Sequence, residues 1–106
     1  MSLLGMDFAV AVAVVFDIPG MTQAQYDQSA DAVTGGRGAV TSTSDWPVPG
    51  LISHTSGPTP NGWFVVDVWE SEEAFRQFGE IIVPILTRLG VPNAEPKVYP
   101  VHAMVR

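Results

Sequence analysis

The sequence contains the same unit twice, an apolar strand that leads into a capped amphipathic helix. The first copy runs from Phe8 to Thr34 and the second from Trp63 to Leu89. A further strand candidate follows each helix, so the predicted element order is β-α-β-β-α-β. Few compact folds accommodate this order, and it therefore constrains the architecture more than any other feature of the chain.

The first unit has the clearest local signals. The segment from Phe8 to Phe16 is rich in valine and carries no charge, which is typical of a central strand covered on both faces. Thr22 and Gln25 form a capping-box pattern, so we expect a helix to begin at Thr22. We expect Gly35 and Gly36 to end that helix.

The second unit starts with a predicted hairpin. Leu51 to Ser56 and Trp63 to Trp69 have strand character, and the Asn61–Gly62 dipeptide between them is a favoured hairpin turn. We expect Ser71 to cap the second helix, because apolar residues then recur at spacings of three and four.

The last strand completes a recognisable pattern. It is predicted from Lys97 to Val105, and Pro100 within it indicates an edge position, since proline cannot donate to a neighbouring strand. The elements fit an α+β ferredoxin-like plait, with a four-stranded antiparallel sheet in the order 4-1-3-2 and both helices on one face. Residues 6–106 are expected to form this single domain, and residues 1–5 to be a cloning scar or a disordered terminus.

Composition favours certain partners and disfavours others. Of the 106 residues 46% are hydrophobic and only 15% are charged, which suggests a second buried face and hence a homodimer joined through the uncovered sheet faces. The net charge is −6 and the five basic residues are scattered, so nucleic acid and membrane are not expected partners. Cysteine is absent and no signal peptide is evident, so we expect a cytoplasmic protein.

One group of side chains stands out as a candidate site. Successive side chains of a strand point to opposite faces of the sheet, and in the predicted hairpin this alternation places four side chains on the same face: His54, Ser56, Asp67 and Trp69. If the turn closes on Asn61–Gly62, Ser56 lies opposite Asp67 and His54 lies opposite Trp69. A carboxylate in an apolar strand needs a partner, and His54 or Ser56 can provide it.

This group has a structural and a functional interpretation. In the structural one it is a satisfied polar network at the dimer interface, while Phe64, Val66 and Val68 pack under the helices on the other face. In the functional one His54 is a general base or orients a ligand, and Asp67 fixes its tautomer.

Other candidate sites are weaker. A metal triad of His54, Asp67 and His102 lacks close ligand spacing, and its histidines fall on opposite predicted edges, so no metal site is expected. Gly35 to Gly38 lacks the lysine of a phosphate loop and is interpreted as a helix stop. Trp46 is expected to pack against a partner subunit, with a lid over a pocket as the alternative.

The segment from Trp63 to Phe78 (WFVVDVWESEEAFRQF), together with the element order, resembles the dimeric α+β barrel superfamily and its antibiotic biosynthesis monooxygenase-like small proteins. The resemblance implies a cofactor-independent monooxygenase that acts on an aromatic or polyketide-like small molecule and needs no cofactor. For such an activity the candidate catalytic residues are His54 and Asp67. The candidate substrate-binding residues are Tyr26, Ser56, Trp63, Trp69 and Phe78.

Two alternatives remain open at this point. One is a non-catalytic small-ligand-binding or stress-related dimer. The other is a lactone isomerase-like enzyme, which would need a base and a proton donor facing one pocket. Haem degradation is disfavoured, because Phe78 and Arg88 stand where the resembling haem-degrading proteins have Trp and His, and Phe8 to Phe16 contains no Asn.

Overall fold

The computed structural model describes the backbone of residues 2–3 and 6–7 and all of residues 10–105. Its elements are β1 (Ser2–Leu3), β2 (Met6–Asp7), β3 (Val12–Pro19), α1 (Gln23–Val33), a 3-10 helix (Thr43–Asp45), β4 (Leu51–Thr59), β5 (Gly62–Trp69), α2 (Glu72–Arg88) and β6 (Lys97–Pro100). Strands β3 to β6 form an antiparallel sheet in the order β4-β5-β3-β6, and β1 pairs with β2. Read from the other edge this is the predicted 4-1-3-2 order, so the predicted fold class is confirmed.

The amino-terminal residues are only partly described. Ser2 and Leu3 belong to β1, whereas residues 1, 4 and 5 lie outside the described residues. That residues 1–5 are a cloning scar or a disordered terminus therefore stays a prediction. No helix in the described part of the chain is both long and apolar enough to cross a bilayer.

Both helices cover one face of the sheet. Val12, Val14 and Ile18 alternate along β3 and are buried on that face. Ala74 and Phe78 of α2 pack against Val12 and Val14 in one apolar cluster. The core therefore lies between this sheet face and the two helices, and the opposite face is left open.

The face that the helices cover is the opposite of the one predicted. Phe64, Val66 and Val68 alternate with the buried residues of β5 and lie on the open face, half-buried. The odd positions of β5 lie under the helices because they carry Trp63 and Trp69, whose large rings contribute more apolar area to a core. The polar group containing His54 is consequently inside the protomer, and the prediction that it belongs to a dimer interface was wrong.

The predicted helix starts are confirmed. The Thr22 backbone N–H donates to Gln25 Oε1 (3.0 Å) and the Gln25 N–H donates to Thr22 Oγ1 (3.1 Å), so both arms of the capping box are present. The Ser71 hydroxyl accepts from the Ala74 N–H at the start of α2. Local side-chain hydrogen bonds thus fix where each helix begins.

The bounds of the first and the last strand of the four-stranded sheet, β3 and β6, differ from those expected. Strand β3 begins at Val12 rather than Phe8, which lies outside the described residues, and it continues to Pro19. Pro19 is tolerated because β6 pairs only with Val12 to Val15, so no neighbour on that side needs its N–H. Strand β6 is an edge strand, as expected, but it ends at Pro100.

The hairpin turn lies one residue before the predicted one, which shifts the strand register by two residues. Thr59 pairs with Gly62, so the turn residues are Pro60 and Asn61. Gly62 is the first residue of β5, and a Cβ at this position would clash with the carbonyl oxygen of Ile18 on the neighbouring strand. The shift of two preserves which side chains share a face, but it changes which of them are direct neighbours.

Candidate active site

His54 and Asp67 are directly paired in the ladder between β4 and β5. His54 Nδ1 lies 2.6 Å from Asp67 Oδ1, and the Trp69 indole N–H donates to Asp67 Oδ2 over 3.2 Å. Asp67 is only 2% exposed. Each oxygen of the buried carboxylate thus has a partner, as a charge beneath a helix layer requires.

Helix α1 adds a third group to this pair. The Tyr26 hydroxyl lies 2.7 Å from His54 Nε2, and the two rings stack with an interplanar angle of 12°. Tyr26, His54 and Asp67 therefore form a continuous hydrogen-bonded chain that joins α1, β4 and β5. Both ring nitrogens of His54 are engaged.

The protonation of Tyr26 sets the direction of these bonds. Burial raises the pKa of the Tyr26 phenol above its usual value, and although hydrogen bonding to Ser56 lowers it, the negative charges of Asp67 and Asp27 add to the rise. The phenol is thus protonated at neutral pH and can donate to His54 Nε2 when the imidazole is neutral. In that tautomer the histidine proton is on Nδ1 and is donated to Asp67.

A cavity of about 70 Å³ lies against the hydrogen-bonded side chains of Tyr26, His54 and Asp67, between the sheet and the two helices. Tyr26, His54 and Asp67 are part of its wall. The remaining wall is almost entirely apolar and includes Phe16, Ile18, Met21, Val33, Val65, Phe78 and Leu86. Among the described residues of the wall, the other polar groups are the Trp46 indole N–H and the Ser29 hydroxyl, which donates to the Tyr26 carbonyl. An acid–base pair thus faces an apolar space, the arrangement of many small-molecule sites.

Trp46, from the loop that follows α1, closes the cavity beside His54. Its ring centroid is 4.7 Å from that of His54 and 6.4 Å from that of Phe78. Trp46 thus packs within its own protomer in the position that the lid interpretation describes, and its contact with a partner subunit stays a prediction. The preceding 3-10 helix is anchored by Asp45, whose carboxylate accepts from the backbone N–H groups of Thr41 and Ser42.

The structure brings together some of the predicted site residues and sets others apart. His54, Asp67, Tyr26 and Phe78 line the cavity. Trp69 supports Asp67 from behind, and Trp63 stacks on Tyr26 at 5.2 Å, but neither is part of the cavity wall, and nor is Ser56.

The predicted substrate-binding set omitted Trp46, together with several apolar residues of the cavity wall. A signal for it exists, because Ser42 and Asp45 form a capping box immediately before the tryptophan and so indicate an ordered loop.

Comparisons with known proteins give information about the fold of the protein. No protein-family model matches the chain, and no curated protein matches it. A solved structure of SnoaB, a cofactor-independent oxygenase from Streptomyces nogalater, superposes with a TM-score of 0.60 at 18% identity, covering 92% of this chain and 98% of SnoaB. An asparagine-to-alanine variant of SnoaB superposes with a TM-score of 0.56 at 18% identity, covering 91% of this chain and 95% of that one. The chain thus has the ferredoxin-like fold of SnoaB.

A second, larger depression borders the cavity. This groove has a volume of about 570 Å³ and lies between α2, β3 and residues 91–96. Phe16, Ile18, Ile82 and Leu86 line both spaces and form the wall between them. Within the described residues, no group of three histidine, aspartate or glutamate side chains could hold a metal ion.

Proposed function

We propose that the protein is a cofactor-independent monooxygenase that acts on an aromatic or polyketide-like small molecule. The observation that carries this proposal is the Tyr26–His54–Asp67 chain in the wall of an apolar cavity. An electron-rich aromatic compound with an acidic C–H can react with O₂ once that proton is removed. The protein then has to bind the ring, remove the proton and exclude water.

The hydrogen-bonded chain is suited to this proton transfer. Tyr26 passes its hydroxyl proton to His54 Nε2 while its oxygen takes a proton from a substrate CH₂ carbon. Asp67, held against Nδ1, stabilises the imidazolium that results, in the way a buried carboxylate supports the histidine of a catalytic triad.

The oxidation balances without a reductant. The substrate carbanion adds O₂ to form a C–O bond, and the proton stored on His54 returns through Tyr26 to give a hydroperoxide. Loss of water from that hydroperoxide converts the original CH₂ group into a carbonyl. One oxygen atom enters the product and the other leaves as water.

The size of the cavity limits how the substrate can bind. A dry protein cavity of roughly 150 Å³ accepts benzene, so a space of about 70 Å³ accepts a fused ring only if its wall moves. The shared wall of Ile82 and Leu86 supports such a movement, because displacing these side chains joins the cavity to the groove. The reacting ring would then lie at Tyr26 and the rest of the molecule in the groove.

Oxygen consumption tests the proposal. Chelator-treated protein is supplied with a panel of enolisable aromatic ketones and phenols, without added cofactor, and O₂ uptake is followed with an electrode. Tyr26→Phe should lower turnover by about 10²- to 10⁴-fold. Tyr99→Phe removes the same hydroxyl from a half-exposed tyrosine and should leave turnover unchanged. Equal rates in the two variants would contradict the proposed role of Tyr26.

A lactone isomerase-like activity is the second candidate, because Tyr26 and His54 place a proton donor and a base at one cavity. The same proton transfer would then move a double bond and consume no O₂. Anaerobic hydrogen–deuterium exchange at the substrate carbon, without O₂ uptake in air, would favour this reaction. Binding with neither exchange nor uptake would favour a non-catalytic small-ligand-binding or stress-related protein.

We also propose that the protein is a homodimer joined through its open sheet faces. Ala13, Val15, Phe64, Val66 and Val68 place apolar side chains on that face, which neither helix covers. An apolar sheet face of this kind is typical of a subunit interface.

A further inference from the structure

The indole N–H of Trp46 is enclosed and has no hydrogen-bond partner among the described residues. Buried N–H groups without a partner are rare in native proteins, and each one requires an explanation. Trp46 is also part of the cavity wall and lies against His54. The unpaired donor therefore belongs to a residue in contact with the candidate substrate.

The polar side chains of the same wall are already engaged. Asp67 accepts from His54 and Trp69, and Tyr26 is bonded to His54. The Ser29 hydroxyl donates to the backbone carbonyl of Tyr26. The rest of the wall is apolar, so the described wall offers Trp46 no free side-chain acceptor, and a molecule in the cavity can supply one.

We propose that Trp46 recognises an oxygen atom of the substrate, donating its indole N–H to a carbonyl or phenol oxygen attached to the ring system that reacts. This inference rests on the proposed function and adds the substrate class, an aromatic compound with a ketone or phenol oxygen close to the carbon that Tyr26 deprotonates. When that carbon loses its proton, negative charge spreads to the oxygen. A fixed donor at this oxygen stabilises the developing charge.

The loop is built to hold the indole in place. Asp45, immediately before Trp46, fixes the 3-10 helix through the N–H groups of Thr41 and Ser42, at 2.8 and 3.0 Å. The Trp46 backbone N–H donates to the Thr43 carbonyl. A donor that is held before the substrate arrives loses little freedom on binding, which is why an ordered loop suits this role.

A pair of ligands that differ only at the proposed acceptor provides the test. 1-Tetralone and tetralin have the same two-ring skeleton, but only 1-tetralone has a carbonyl oxygen. Their dissociation constants are measured by ligand-observed NMR on the wild type and on Trp46→Phe, which keeps an aromatic ring and removes the N–H. We expect the preference for 1-tetralone to fall about three- to ten-fold in Trp46→Phe, the effect of one hydrogen bond.

Trp63→Phe is the matched control. Trp63 also has an enclosed indole N–H without a partner among the described residues, but it is not part of the cavity wall. Its replacement should shift the affinities of both ligands together and leave their ratio unchanged. Any of three results would overturn the inference. The preference for 1-tetralone over tetralin could be unchanged in Trp46→Phe, it could fall equally in Trp63→Phe, or the wild type could fail to bind 1-tetralone.

The readout separates this inference from the proposed activity, because it measures binding and not turnover. If the ratio of the affinities for 1-tetralone and tetralin depends on Trp46 but no O₂ is consumed, the recognition of a substrate oxygen by Trp46 is retained and the monooxygenase activity is rejected. If O₂ is consumed but the affinity ratio does not depend on Trp46, the monooxygenase activity is retained and this role of Trp46 is rejected.

Discussion

His54 lies directly opposite Asp67 across the β4–β5 ladder, with Nδ1 2.6 Å from Oδ1, and its other ring nitrogen meets the Tyr26 hydroxyl on α1. The imidazole thus connects a buried carboxylate of the sheet to a phenol of the helix layer. Removing it takes one hydrogen bond from each neighbour, and Asp67 keeps only the bond from the Trp69 indole. The stability of the fold and the chemistry of the cavity therefore depend on the same side chain.

We expect His54→Ala to lower the free energy of unfolding by about 1–3 kcal/mol, because one oxygen of the buried Asp67 carboxylate loses its hydrogen-bond partner. Urea denaturation monitored by circular dichroism measures the change. His102→Ala is the matched control, since His102 is exposed and its loss should cost less than about 0.5 kcal/mol. Equal urea midpoints for the two variants would show that the buried pair contributes nothing to stability.

Tyr26→Phe should change the stability of the protein in alkaline solution. Burial raises the folded-state pKa of Tyr26, so above the ordinary value near 10 the unfolded chain releases a proton that the folded chain retains. This contribution to stability is complete below pH 10 and is lost as the pH rises through the folded-state pKa. Urea midpoints between pH 8 and 11.5 should therefore decline less steeply in Tyr26→Phe than in Tyr99→Phe. Parallel declines would argue against a raised pKa.

Acid should loosen the loop that carries Trp46. The backbone N–H groups of Thr41 and Ser42 hold the pKa of Asp45 below its usual value, so the contribution of Asp45 is present above about pH 4 and is lost as the pH falls through the lowered pKa. Asp45→Ala should cause the same loosening at neutral pH. Amide exchange at Thr41 and Ser42 should be faster in this variant than in Asp27→Ala, and equal rates would exclude the anchoring role.

Light scattering after gel filtration should give the mass of two chains at micromolar concentration. Val66→Lys places a charge on the open sheet face and should yield single chains, because burying an unpaired ammonium group in an apolar interface is costly. Val83→Lys introduces the same charge on α2, where Val83 is already 59% exposed, and should leave the dimer intact. A single-chain mass for the wild type would reject the dimer.

Leu86→Ala should join the cavity to the groove, since Leu86 lines both. We expect this variant to bind a three-ring hydroxylated aromatic several-fold more tightly relative to phenol, because a larger apolar space accepts more ring area. Val83→Ala removes side-chain volume from the rim of the groove alone and should not change that preference. Fluorescence titration of both ligands decides the outcome.

Local signals in the sequence predicted the parts of the fold that local interactions determine. The Thr22–Gln25 capping box fixes the start of α1 through contacts three residues apart, and Pro100 marks an edge strand by its missing N–H. Parity alone predicted that His54, Asp67 and Trp69 share a face. None of these inferences needed knowledge of distant residues.

The parts that were wrong or missed depend on distant contacts. Gly62 was interpreted as a turn residue, but it belongs to β5, where the backbone of β3 leaves no room for a side chain. Which sheet face the helices cover depends on the summed apolar area of several strands, and Trp63 and Trp69 decide it together. The position of Trp46 over His54 requires the whole loop between α1 and β4, which no short pattern encodes.

The hairpin shift has a consequence for how the chain selects its own strand pairing. A slip of two residues keeps every side chain of β4 on its face, so hydrophobic burial distinguishes the two alignments poorly. In the slipped alignment, however, Ser56 would lie opposite Asp67, and the carboxylate would be buried beside a hydroxyl in place of an imidazole. That alternative compensates the buried charge less well. We therefore expect the His54–Asp67 pair to favour the observed strand alignment over the slipped one.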